Sequence, residues 1–125
     1  MHSTREDIPI IFEVGPSYGR QVEWGEMDGG FWAFPAGFDS TPLFPGLAYG
    51  CECPHWGYLL KGRMRVKYAD HDEVVTAGEA YYLAPGHLPV MEEDCEMVEF
   101  APKVESRRML AYASRAVAPK QPVGV

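Results

Sequence analysis

Glycine and proline cut the first hundred residues into short apolar or alternating runs, a punctuation that suits β-strands joined by tight turns. Residues 9–14 are apolar and β-branched and stop at Gly15-Pro16-Ser17-Tyr18-Gly19. Residues 21–24 alternate polar and apolar, Met27-Asp28-Gly29-Gly30 has the composition of a turn, and residues 31–34 predict a third strand closed by Pro35-Ala36-Gly37. Residues 39–49 carry Pro42, Pro45 and Gly46, which fits an edge strand or an irregular loop. From His55 the pattern sharpens. Residues 56–60 predict a strand and Lys61-Gly62 a turn. Residues 63–68 then alternate, with Arg63, Arg65 and Lys67 on one face and Met64, Val66 and Tyr68 on the other. A polar turn at 69–72 leads to short strands at 73–76 and 80–83, the latter broken by Pro85-Gly86. Residues 95–100 alternate again, with Met97 and Glu99 opposed to Val98 and Phe100. Only the tail has helical composition, over residues 103–118, following Pro102 and ended by Pro119 and Pro122. The expected fold is all-β, a sandwich or barrel with a short C-terminal helix. Residues 1–8 form a lead-in, 9–102 the barrel and 103–118 the helix.

A chain of 125 residues with 46% hydrophobic and 23% charged residues is long enough for one domain with a real core. Its net charge of −7 argues against nucleic acid as a partner, since that affinity comes from Lys and Arg on phosphates. No apolar run approaches the ~20 residues that span a bilayer, and residues 1–7 are polar, unlike a signal peptide. Three cysteines, an odd number, do not make a disulfide framework. A reduced, cytoplasmic protein is expected.

Chemistry concentrates in two places. Cys51-Glu52-Cys53-Pro54-His55 places two thiols, a carboxylate and an imidazole within five residues, and His87 sits in a Pro-Gly-His turn. If residues 49–59 are extended, Tyr49, Cys51, Cys53 and His55 share a face. His55 and His87, with Cys53 or Cys51 and with Glu92, would then offer nitrogen, sulfur and oxygen donors suited to zinc, iron or copper. Without a metal, His55 and His87 could serve as a catalytic proton-transfer pair. The plainer alternative is structural: buried histidines are often hydrogen-bonded to tyrosine or backbone, and free cysteine is a common core residue. Most aromatic residues alternate on strands and belong to a core. Tyr49, Trp56 and Tyr58, flanking His55, are the candidates for substrate contact.

The middle of the chain, about residues 45–101, resembles the cupins, small jelly-roll β-barrels whose two motifs line one pocket. Gly62 fits the closing glycine of the first motif, Gly78 the opening glycine of the second, and Pro85-Gly86 the turn within the second. The ligand positions depart from the pattern. His55 stands where the family has its glutamate, Cys51 and Tyr49 replace its two first-motif histidines, and Pro89 occupies the second-motif histidine position, two residues after His87. The resemblance is nearest to small cupins with a Cys-x-Cys-Pro-His-Trp-Gly-Tyr stretch. It implies a jelly roll, a small-molecule ligand, a transition metal and a homodimer, with a metal-dependent oxygenase, isomerase or lyase as the function. The alternative it leaves open is a non-catalytic small-molecule-binding cupin without metal.

Overall fold

A meander of three antiparallel strands builds the first wall: β1 (Ile10–Val14), β2 (Ser17–Trp24) and β3 (Met27–Phe34). The computed structural model describes residues 1–117; Ala118 and the expected helix stops at Pro119 and Pro122 lie outside the described residues. The chain continues through β4 (His55–Lys61), β5 (Arg63–Lys67), β6 (Asp72–Thr76), β7 (Ala80–Leu83), β8 (Leu88–Met91) and β9 (Cys95–Pro102), then helix α1 (Lys103–Val117). Six strands form one sheet in the order β1-β2-β3-β9-β4-β7, and β6-β5-β8 form the facing sheet. The last strand thus inserts between β3 and β4 and joins the two halves of the chain. The result is an all-β, antiparallel jelly roll with one short C-terminal helix, as the sequence leads one to expect.

Period-two alternation sets the core. Leu59, Cys95 and Met97 from the large sheet meet Met64, Val66, Val75 and Met91 from the small one. A second cluster closes the other end, where Met109 and Ala113 of α1 pack on Phe12, Leu43, Phe44, Cys51, Cys53 and Ala101. Residues 39–49 are a loop containing a 3₁₀ turn at Thr41–Leu43, joined to β8 by a bridge from Asp39 to Val90. The N-terminal lead-in is fastened down: Ile8 is buried, and Arg5 lies over the Phe31 ring and near Glu96.

Two local readings change. Residues 17–19 belong to β2, so the first turn is only Gly15-Pro16. Met27-Asp28-Gly29-Gly30 is strand, not turn. Its glycines exist because side chains there have no room: a Cβ on Gly30 would lie 1.8 Å from the Arg20 carbonyl oxygen, and one on Gly29 2.7 Å from the Phe100 ring. Residues 88–91 form β8 despite Pro89, at the edge of its sheet where a missing N–H is tolerated.

The helix is held to the large sheet by charge. Asp28, its side chain 1% exposed, accepts hydrogen bonds from Arg107 and from Gln21 Nε2, and Arg107 also pairs with Glu23. Arg107→Ala should therefore lower stability, because it strips a partner from a buried carboxylate. The loss stays below that of a fully buried pair because Arg107 is 54% exposed. Urea denaturation checks it, and an unchanged midpoint would show that Gln21 and water suffice.

Candidate metal centre

Backbone pairing brings the two chemical stretches together. Cys51 bridges to His87: the Cys51 N–H donates to the His87 carbonyl at 3.0 Å, and the Gly86 N–H donates to the Cys51 carbonyl at 2.8 Å. His55 opens β4, paired with Leu83 on β7, and faces inward with Gly57 and Leu59. The His55 and His87 rings meet edge to face with centroids 4.9 Å apart. Cys51, His55 and His87 each present a ligand atom, and these atoms lie within 4.8 Å of one another. They form a group able to hold a metal ion.

The donor chemistry fits that use. The His87 Nδ1–H donates to the Ala84 carbonyl at 2.6 Å, which leaves Nε2 as the lone-pair nitrogen. His55 Nε2 lies 3.6 Å from Cys51 Sγ. Bonds of about 2.3 Å to sulfur and about 2.0–2.1 Å to nitrogen at a tetrahedral angle place two donors about 3.6 Å apart. His55 Nδ1 is buried without a hydrogen-bond partner among the described residues. Burial pulls the pKa of His55 down to about 4 and, with the charge of His55 adding to burial, that of His87 also to about 4. Both are neutral at pH 7, which is the ligand form of imidazole. Burial pushes the Cys51 thiol up to about 12, so it stays protonated until something positive displaces the proton.

The other sequence candidates lie elsewhere. Cys53 is fully buried, with its thiol directed to the Pro54 carbonyl at 3.4 Å, and stands outside the group of three. Of the extended run expected over residues 49–59 only the part from His55 is strand, and Cys51 reaches the site through its isolated bridge to His87. Glu92 is on the surface, paired with Arg63 Nε at 2.9 Å and Arg65 Nε at 3.4 Å, and Arg63 holds its carboxyl below the usual range. Trp56 and Tyr58 point to the outer face of β4, and Tyr49 is 60% exposed on the loop; none of the three lines the cavity beside His55.

Glu99 does line it, and sequence reasoning did not single it out. Gly57 pairs with Tyr81 on one side and with Glu99 on the other, and its missing side chain lets Tyr81 reach across. A Cβ on Gly57 would lie 2.4 Å from Tyr81 Cζ. Tyr81 Oη donates to Glu99 Oε1 at 2.6 Å. Burial raises the Glu99 carboxyl, and burial followed by the Glu99 charge raises the Tyr81 phenol well above its ordinary value. The Tyr81 phenol therefore keeps its proton at neutral pH. The signal was available: Glu99 shares the face of Cys95, Met97 and Ala101, all buried. An acidic residue on the inward parity of a strand is a site candidate by that fact alone.

No family model and no curated protein sequence matches the chain. Solved structures do. A protein of unknown function from Rhizobium leguminosarum bv. viciae superposes with a TM-score of 0.61 at 17% identity, over 82% of this chain and 95% of that one. An RmlC-like cupin from Shewanella frigidimarina superposes with a TM-score of 0.60 at 17% identity, over 80% of this chain and 87% of its own. A mutant of Bacillus subtilis oxalate decarboxylase gives a TM-score of 0.60 at 18% identity, over 80% of this chain but 28% of the decarboxylase. Identities this low speak to fold.

Proposed function

From the premise that this chain has the cupin fold, we propose that it is a metal-dependent enzyme of oxygenase, isomerase or lyase type acting on a small molecule. His55, His87 and Cys51 would hold one transition-metal ion. The observation that carries the reading is the convergence of two neutral imidazoles and a thiol, from two separate stretches, at one end of an internal cavity. Zinc, iron and copper suit these donors; magnesium and calcium do not. Such an ion supplies a Lewis-acid centre with room for a further ligand. The chain's own residues do the rest: the apolar walls exclude water, and Glu99, which lines the cavity, accepts a hydrogen bond from the Tyr81 phenol.

Burial counts against a metal-free histidine pair as a general acid. With both pKa values near 4, neither ring is an imidazolium at pH 7. The non-catalytic binding module remains the second reading, because the same cavity serves it without a metal. A cytoplasmic setting is consistent with three free, buried cysteines. Assembly as a homodimer is supported by the outer face of the large sheet. There Trp56 stacks near Tyr82 at 5.2 Å and lies opposite Phe100 in register, all three exposed. Light scattering that reports a monomer at working concentration would end that expectation.

Metal content decides between the two readings. Protein purified without a histidine tag and loaded with zinc or iron(II) should retain about one ion per chain. His55→Ala, His87→Ala and Cys51→Ser should each lose at least about tenfold in affinity, whereas Cys53→Ser and Glu92→Ala should not. A wild type that retains far less than one ion removes the metal and leaves the binding module.

A further inference from the structure

The cavity is small and apolar. Its volume is about 130 Å³, while an engineered cavity of about 150 Å³ is enough for benzene. Among the described residues neither Lys nor Arg lines it. One wall is a row of aromatic rings: Trp32 stacks on Phe34 at 6.0 Å and 11°, and Phe34 meets Phe38 at 4.6 Å. The polar groups at the α1 end, Gln21, Asp28 and Ser106, are bound up with the helix lock. Ser40 is not so occupied. It is 4% exposed and lines the cavity, yet its Oγ has no hydrogen-bond partner among the described residues. It sits at the N-cap of the 3₁₀ turn but makes no side-chain capping bond, and its backbone N–H is tied to the Pro89 carbonyl at 3.1 Å. A buried hydroxyl with nothing to bond, beside empty space, is a group left for a ligand.

We propose that the cavity binds a small uncharged aromatic molecule of about seven heavy atoms, its ring against Trp32 and Phe34 and its hydroxyl or carbonyl hydrogen-bonded to Ser40 Oγ. The inference rests on the small-molecule reading of the same site and names its ligand class. Size limits the ligand to roughly one six-membered ring with one polar substituent. With no Lys or Arg lining it among the described residues, the cavity disfavours a free carboxylate or phosphate unless a metal takes it. The one carboxyl group among the described residues that lines the cavity and is not part of the helix lock, Glu99, is already bonded to Tyr81. Flat rings are preferred over branched aliphatic groups because the stacked wall offers aromatic faces. Ser40 then decides between ligands of equal size, since a phenol satisfies its hydroxyl and benzene does not.

The test uses metal-free protein, so that its outcome is separate from the metal question. Titration calorimetry with phenol, benzene, benzoate and benzylammonium should give saturable one-to-one binding of phenol. Benzene should bind about fivefold to tenfold more weakly, and the two ions at least about tenfold more weakly than phenol. In Ser40→Ala, phenol should fall to the affinity of benzene, with benzene unchanged and thermal stability equal to or above wild type, because a buried unbonded hydroxyl is removed. Benzoate binding as tightly as phenol, phenol binding unaffected by Ser40→Ala, absence of phenol binding, or a destabilised Ser40→Ala would each overturn the proposal. Phenol binding by a protein that retains no metal would leave this inference standing and remove the enzymatic one.

Discussion

Acidifying the metal-free protein from pH 7 to pH 4 should destabilise it by several kcal/mol, before the ordinary acid denaturation of surface carboxylates takes hold. The cause is the pair of buried imidazoles. In the unfolded chain each histidine takes up a proton near its ordinary value of 6.5, while in the folded protein burial holds both near 4. Between those values the unfolded state binds more protons than the folded one, so stability falls as the pH falls. The stabilisation is complete above about pH 6.5 and is gone once the pH passes through about 4. A shift of that size is worth at most about 3 kcal/mol for one histidine. The two together give less than twice that, because part of the His87 shift is the charge of His55. Glu99 acts in the opposite sense: its carboxyl is raised, so it gains relative stability as it protonates and blunts the loss at the acid end. Urea denaturation at pH 7, 5.5 and 4, with the double variant His55→Gln/His87→Gln alongside, reads the effect. Wild type and double variant with parallel pH profiles would mean that the imidazoles are solvated and that the centre is not the buried group described above.

How much of this was legible in the sequence follows from what strand periodicity carries. Alternation on β5 and β9 gave both strands and the division of each into two faces, because each residue's side is fixed by its neighbours along the chain. The same parity places Trp56 and Tyr58 on the face opposite His55 and so removes them from its cavity. Proximity in sequence suggested substrate contacts, and the pleat turns these two side chains to the outer face. The metal group required more. Cys51 meets His87 through a backbone bridge between two loops, and no local pattern announces a bridge. Glu92 follows His87 along the chain, but the Arg63 and Arg65 side chains of the neighbouring strand hold it at the surface. Gly29-Gly30 carried a turn signal that tertiary packing overrode, since the Phe100 ring and the Arg20 carbonyl need the space a side chain would fill. The partnership of Tyr81 with Glu99 was hidden for a related reason: it depends on the register of three strands around a residue that has no side chain.

That residue, Gly57, carries the second large expectation. Gly57→Ala should cost about 3 kcal/mol in stability and also disturb the site, although Gly57 itself touches no ligand. A Cβ there would lie 2.4 Å from Tyr81 Cζ, 2.5 Å from Tyr81 Oη and 2.7 Å from the Val98 carbonyl oxygen. The tyrosine can swing away only by breaking its 2.6 Å bond to Glu99, and Val98 is backbone in the central strand β9, paired on both sides. Relief must therefore come from moving Tyr81, from opening the β4–β9 ladder, or from both, and overpacking of this kind in a filled interior costs about 1–3 kcal/mol. The lost hydrogen bond to a buried carboxyl adds to it. Tyr81→Phe separates the two contributions, since it removes the phenol and keeps the ring. It should cost about 1 kcal/mol and leave the fold intact, while depriving Glu99 of its bonded partner. The expected order of melting temperature is wild type, then Tyr81→Phe, then Gly57→Ala, with the double variant Gly57→Ala/Tyr81→Phe close to Gly57→Ala because the alanine has already broken the bond. Should the double variant instead show the sum of the two single losses, Tyr81 would be moving independently of Gly57, and the glycine would have no part in placing the Tyr81–Glu99 pair beside the His55–His87–Cys51 centre.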